Sequence, residues 1–124
     1  MLVEFDYRGD ICMLRLHGRF ATGQDTLYLH SKAEELKTSG YQKILVDFAG
    51  VDYVDSTGIG FLIGIYTSVK KNPLGQFALA NANRRVREVL ELTRLAQVIQ
   101  LYPSETAALE ALNAGGKSSA SQAS

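Results

Sequence analysis

The chain reads as an α/β protein, a mixed β-sheet of about four to five strands packed with about four α-helices. Two features of the sequence predict this. Near the N-terminus, two short stretches alternate apolar and polar residues with period two, as an antiparallel hairpin does. Residues 44–101 then read strand, helix, strand, helix, strand, which implies parallel pairing through right-handed crossovers.

Val3, Phe5 and Tyr7 alternate with Glu4 and Asp6, and Cys12, Leu14 and Leu16 alternate with Met13, Arg15 and His17, across a turn at Arg8-Gly9-Asp10. From Thr22 the pattern becomes helical, with Leu29, Ala33 and Leu36 on one face, until Gly40 ends it. Ile44 to Phe48 is a nearly unbroken apolar run, too short for a helix and suited to a central strand covered on both faces. Tyr53-Val54 leads into Asp55-Ser56-Thr57-Gly58, whose side chains suit a helix N-terminus. The helix presents Ile59, Leu62, Ile63, Tyr66 and Val69 inward, carries Lys70 and Lys71 at its end, and stops at Asn72-Pro73-Leu74-Gly75. A strand over 77–80 follows. A third helix over 83–92 has Val86, Val89, Leu90 and Thr93 on its inner face, a strand covers 98–101, and a last helix opens at Pro103-Ser104-Glu105 and runs through Leu109 and Leu112.

The length of 124 residues and a hydrophobic fraction of 46% suit one domain, expected over residues 1–113, with a tail over 114–124 too poor in bulky apolar residues to pack and expected to be disordered. Thirteen basic side chains balance thirteen acidic ones, so no net field gathers the chain onto nucleic acid or an anionic membrane. The longest apolar stretch, residues 59–66, is about half of the roughly 20 residues a spanning helix needs. No leader pattern is visible, and Cys12 is the sole cysteine, so the expectation is a cytoplasmic protein without membrane insertion or direct nucleic-acid contact. Cys12 reads as a small buried hydrophobe. His17 and His30 lie on different elements, and no glycine loop is followed by a phosphate-binding lysine. These features predict no metal, no cofactor and no catalytic residue.

The turn at residues 55–58 carries the functional reading. A helix start exposes unpaired backbone N–H groups and the positive end of the helix dipole, so a phosphoryl group on a hydroxyl there meets donors instead of a packed core. Ser56 and Thr57 are the two hydroxyls available, and Gly58 and Gly60 suggest close approach by another backbone, from the sheet or from a partner. Cap chemistry with tight helix–sheet packing accounts for the same residues. Arg84, Arg85 and Arg87 read as a solvated face, with contact to an acidic partner or phosphoryl group as the other option. Tyr53 and Phe61 suit either an interface or burial.

The run from Ile44 to Gly60, Ile-Leu-Val-Asp-Phe-Ala-Gly-Val-Asp-Tyr-Val-Asp-Ser-Thr-Gly-Ile-Gly, resembles the signature of STAS domains, the family of bacterial anti-sigma factor antagonists and sulfate-transporter tails. The resemblance covers residues 2–112 and includes the ending Ile99 to Glu105. It implies a STAS-like fold and a partner switch in transcription regulation. The unphosphorylated antagonist binds a serine-kinase anti-sigma factor and releases a sigma factor, phosphorylation breaks the complex, and a phosphoprotein phosphatase resets it. The implied acceptor is Ser56, with Thr57 second, and the implied partner surface is Asp55, Ser56, Thr57, Gly58, Ile59 and Gly60. Such a protein is a substrate of an enzyme and not an enzyme. The alternative within the same fold is a docking subunit of a lipid or anion transporter that is not phosphorylated. Two departures stand out. Gly18-Arg19-Phe20-Ala21-Thr22 replaces an acidic pattern after the second strand, and Arg94 stands where many members have glycine, so a differently shaped loop to the last strand is expected.

Overall fold

The structure is a computed structural model that describes residues 2–20 and 26–114. The expected tail beyond Ala114 and the first residues of the Thr22 helix lie outside the described residues, as do the side chains of Arg19, Phe20, Thr26, Leu29, Ser56 and Thr57. Among the described residues nine strands and α-helices follow in order: β1 (Leu2–Arg8), β2 (Ile11–Phe20), α1 (Thr26–Thr38), β3 (Lys43–Val54), α2 (Ser56–Lys70), β4 (Gln76–Ala80), α3 (Arg84–Leu92), β5 (Gln100–Tyr102) and α4 (Glu105–Asn113).

The sheet runs β1-β2-β3-β4-β5. β1 and β2 form the expected antiparallel hairpin, turning at Gly9, whose φ of +62° favours glycine. β2 to β5 are parallel, joined by α1, α2 and α3.

Helices α1, α2 and α3 cover one face. Ala33 and Leu36, Phe61, Leu62 and Ile65, and Val86 and Leu90 pack there against Cys12, Leu14, Leu16, Ile44, Val46 and Phe48. On the other face α4 sets Ala108 and Leu112 on Ile11, Met13, Leu45, Ala78 and Ala80. Burying each Leu or Ile side chain contributes about 1.5–3 kcal/mol, so both faces matter to stability.

Five details differ from the sequence reading. Thr93, expected on the inner face of the third helix, is exposed at its C-cap. Met13, expected on the polar side of β2, is fully buried because α4 closes over it. In α2 the side chain of Ile63 is exposed, and Phe61 and Ile65 turn inward instead. That helix is apolar almost all round, so periodicity left its orientation undetermined and the sheet selected it. The central strand continues beyond Phe48 to Val54, paired with β2 from Gly50↔His17 to Val54↔Phe20. The last strand begins at Gln100, because a 3₁₀ turn over Leu95–Gln97 occupies the preceding chain and leaves Val98 exposed.

Arg94 opens that turn at φ +65° and ψ +10°, a left-handed conformation taken here by a residue that is not glycine. Such a conformation costs a non-glycine residue about 1–2 kcal/mol.

Candidate functional site

The site forms where β3 outruns its neighbour. β4 stops at Ala80, opposite Asp47, but β3 continues through Val54 and raises the following turn beyond the β4–β5 side of the sheet. Over this extension β2 follows with register shifts between Arg15 and His17 and between Gly18 and Arg19. Gly50 sits at the first of these. A Cβ there would come within 2.7 Å of His17 Nδ1 and 2.8 Å of the Leu16 carbonyl oxygen, so the close approach of β2 requires glycine.

On the other edge of the extension, Asn83 does two things. Its amide nitrogen donates to the Val51 carbonyl at 3.0 Å, and its Oδ1 accepts from the Val86 N–H at 2.8 Å as the N-cap of α3. One side chain therefore satisfies a β3 edge carbonyl and an orphan helix donor. It also holds the start of α3 beside the strand that delivers the turn.

The chain reverses at Asp55, whose carbonyl accepts from the Ile59 N–H at 2.9 Å to start α2. Ser56 and Thr57 occupy the first helical turn. Their N–H groups and that of Gly58 belong to the set for which a helix supplies no internal acceptor, and the dipole of a 15-residue helix points its positive end here. Asp52 is exposed and Asp55 half-buried beside it.

The predicted site residues separate by orientation. Gly58 and Ile59 face inward, Ile59 joining the three-helix core, whereas Gly60 faces out with nothing within 4 Å of a built Cβ. Close approach by this chain's own backbone thus does not account for Gly60. Gly64, one turn on, is equally open, and exposed Ile63 and Thr67 complete a smooth strip along α2. The sequence reading missed this strip. Reading the helix outward from Gly60 in steps of three and four would have found it. Phe61 is buried and Tyr53 half-buried, so the structure favours the packing role for Phe61. Arg84, Arg85 and Arg87 are exposed, with Arg84 Nε 3.5 Å from Glu88 Oε2.

Burial pushes the Cys12 thiol up to about 11, so it is neither nucleophile nor ready ligand. No group of three His, Cys, Asp or Glu suited to a metal occurs among the described residues. A cavity of about 180 Å³ lies between the C-terminal halves of α1 and α2, floored by Leu36, Ile44, Ile65 and Val69, at the far end of α2 from the turn. No described helix is long and apolar enough to cross a membrane.

The molecule is thus a small α/β domain whose central parallel strand outruns β4 and ends in a turn that carries two hydroxyl residues. The profile of the STAS domain family matches residues 3–108, and the chain belongs to this family. It is 36% identical over 77 residues to the Thermotoga neapolitana homologue of a candidate anti-sigma factor antagonist, spanning 62% of this chain and 67% of that one. It is 21% identical over 110 residues to the anti-sigma F factor antagonist of Paenibacillus polymyxa, spanning 89% and 93%. The crystal structure of a candidate anti-sigma factor antagonist from Thermotoga maritima superposes with a TM-score of 0.81 at 25% identity, covering 90% of this chain and 94% of the other. The fold, a five-stranded mixed sheet with four helices, is that of these neighbours.

Proposed function

We propose that this protein is an anti-sigma factor antagonist that binds a serine-kinase anti-sigma factor through the turn and the outer strip of α2, and that phosphorylation at Ser56 switches it off. The observation that carries the reading is the turn itself: two hydroxyl residues on the first turn of α2, at the end of a strand that outruns β4, next to a helix face without side-chain bulk at Gly60 and Gly64. Relatives named anti-sigma factor antagonists support the general role. A Bacillus protein of the same fold, TM-score 0.69 at 18% identity, is described in a phosphorylated form. In this reading the protein is a kinase substrate with no catalytic residues of its own, and a phosphatase restores the binding form.

The direction of the switch follows from charge. A phosphoryl group adds about 1.5–2 negative charges beside Asp52 and Asp55, which turns a surface facing a partner repulsive and costly to desolvate. A loss of about 3 kcal/mol weakens binding roughly a hundredfold, enough for a switch.

The test is phosphorylation by kinase-type anti-sigma factors of the same genome, with the phosphate located by mass spectrometry in the native chain, Ser56→Ala and Thr57→Ala. Phosphate on Ser56 together with lost kinase binding supports the proposal. Phosphate on Thr57 alone moves the acceptor by one residue. Gly60→Arg should abolish binding without unfolding the domain, since its Cβ position is open. If no such kinase binds the native chain, the assignment fails and a constitutive docking subunit of a transporter takes its place.

A further inference from the structure

We infer that the cleft between the start of β4 and the end of α4 binds a small apolar acid that carries an N–H or O–H donor beside its carboxylate, the chemistry of an α-amino acid or of the last residue of a peptide. The cleft lies at the opposite end of α2 from the turn, and the proposal is independent of the phosphorylation reading.

β5 pairs with β4 only from Ala78↔Gln100 to Ala80↔Tyr102, so Gln76 and Phe77, the first two residues of β4, precede the paired stretch. Before β5 the chain is in the 3₁₀ turn capped by Val98. The cavity left there measures about 170 Å³, with Phe77, Val98 and Leu112 as apolar walls and Lys70, Gln76 and Tyr102 as polar ones. An apolar cavity of about 150 Å³ takes a molecule the size of benzene, which limits the occupant's body to the bulk of one apolar side chain.

The polar groups define what that occupant carries. Gln76 is anchored by its backbone N–H, which donates to the Gln42 carbonyl at 2.9 Å. Its side-chain Oε1 is, among the described residues, the one buried side-chain nitrogen or oxygen without a hydrogen-bond partner. A buried acceptor left unmade is destabilising, and a ligand N–H or O–H at this oxygen removes the penalty. Lys70 Nζ spends one of its three donors on the Gly75 carbonyl at 3.2 Å, one residue from Gln76. No carboxylate pairs with Lys70 among the described residues, so its charge and two donors remain for an anion. Burial raises the Tyr102 hydroxyl above its ordinary value, so it stays protonated and is a further donor.

A carboxylate at Lys70, a donor at Gln76 and an apolar body against Phe77, Val98 and Leu112 describe one small molecule. Water supplies the donor but neither the charge nor the apolar body.

NMR titration of the ¹⁵N-labelled native chain tests this with L-leucine, N-acetyl-L-leucine, 4-methylpentanoate, which lacks the donor, and 3-methylbutylamine, which lacks the carboxylate. The backbone amides of Phe77 and Gln100 and the Gln76 side-chain amide should shift with both leucine compounds at millimolar concentration. The tighter of the two names the source, free amino acid or peptide end. Each truncated probe should bind about tenfold more weakly, as one lost hydrogen bond or ion pair predicts. In Gln76→Met the affinity for leucine should fall about tenfold while that for 4-methylpentanoate is kept, and the urea midpoint should rise because the unpaired acceptor is gone. No shift with either leucine compound overturns the inference. So does equal binding of leucine and 4-methylpentanoate to the native chain, a comparison that decides even if the variant does not fold. In a folded Gln76→Met, an unchanged leucine affinity or a lowered midpoint overturns it as well.

Discussion

The face of the sheet under α1, α2 and α3 is apolar from Val3 to Ile99, whereas the face under α4 gives positions beside its apolar patch to Arg15 and Asp47, with Glu105 of α4 bonded to Arg15. The first face is held by burial, which is non-directional and grows with area, so three helices of different lengths can share it. The second is covered by one nine-residue helix, which has less apolar area to offer. Directional hydrogen bonds fix the seat of its first turn, and they bring a dependence on protonation that the apolar face lacks. The α2 strip and its turn lie on the face whose stability does not rest on those carboxyls.

Truncation separates the two faces most sharply. Phe48→Ala, on the three-helix face, should cost about 3–5 kcal/mol in urea unfolding, independent of pH between 4 and 8. Arg15→Ala should cost about 2–3 kcal/mol at neutral pH through lost charged hydrogen bonds, with Arg15→Lys recovering part of it. Glu105 is depressed from 4.5 to about 2, so the stability it draws from Arg15 is present above about pH 4.5 and fades as pH falls toward 2. The Arg15→Ala penalty should shrink over that range, and a constant penalty would mean that packing of the side chain is what matters.

Asn83→Ala removes a helix cap and strands the Val51 carbonyl. It should cost about 1–2 kcal/mol and raise amide exchange at the start of α3 and the end of β3 together. The smallest effect is a gain. Arg94→Gly should stabilise the domain by about 0.5–1 kcal/mol, because glycine takes the left-handed conformation without the Cβ clash, even after its greater unfolded-state freedom is counted. A loss of stability there would show that the Arg94 side chain contributes a contact worth more than the strain.

Much of the fold was legible because its signals are local. Gly9 marks the hairpin turn, the Ile44 to Phe48 run marks the buried strand, and Asn83 and Ser104 stand at the N-caps that open α3 and α4. The turn at residues 55–58 was legible for the same reason, as hydroxyl residues at a strand-to-helix junction. Ile63 was misplaced because Gly-Phe-Leu-Ile-Gly-Ile-Tyr offers apolar residues on every side. Met13 was misplaced because α4, about 90 residues later in the chain, covers it.

By itself the sequence determined element types, the parallel order after the hairpin and the residues of the turn, since propensity, capping and period act over a few neighbours. Tertiary structure alone decided which side of α2 faces solvent, how far β3 outruns β4, and that Arg15 and Glu105 meet. Those outcomes depend on contacts between residues far apart in the chain, and no short window of sequence contains both partners.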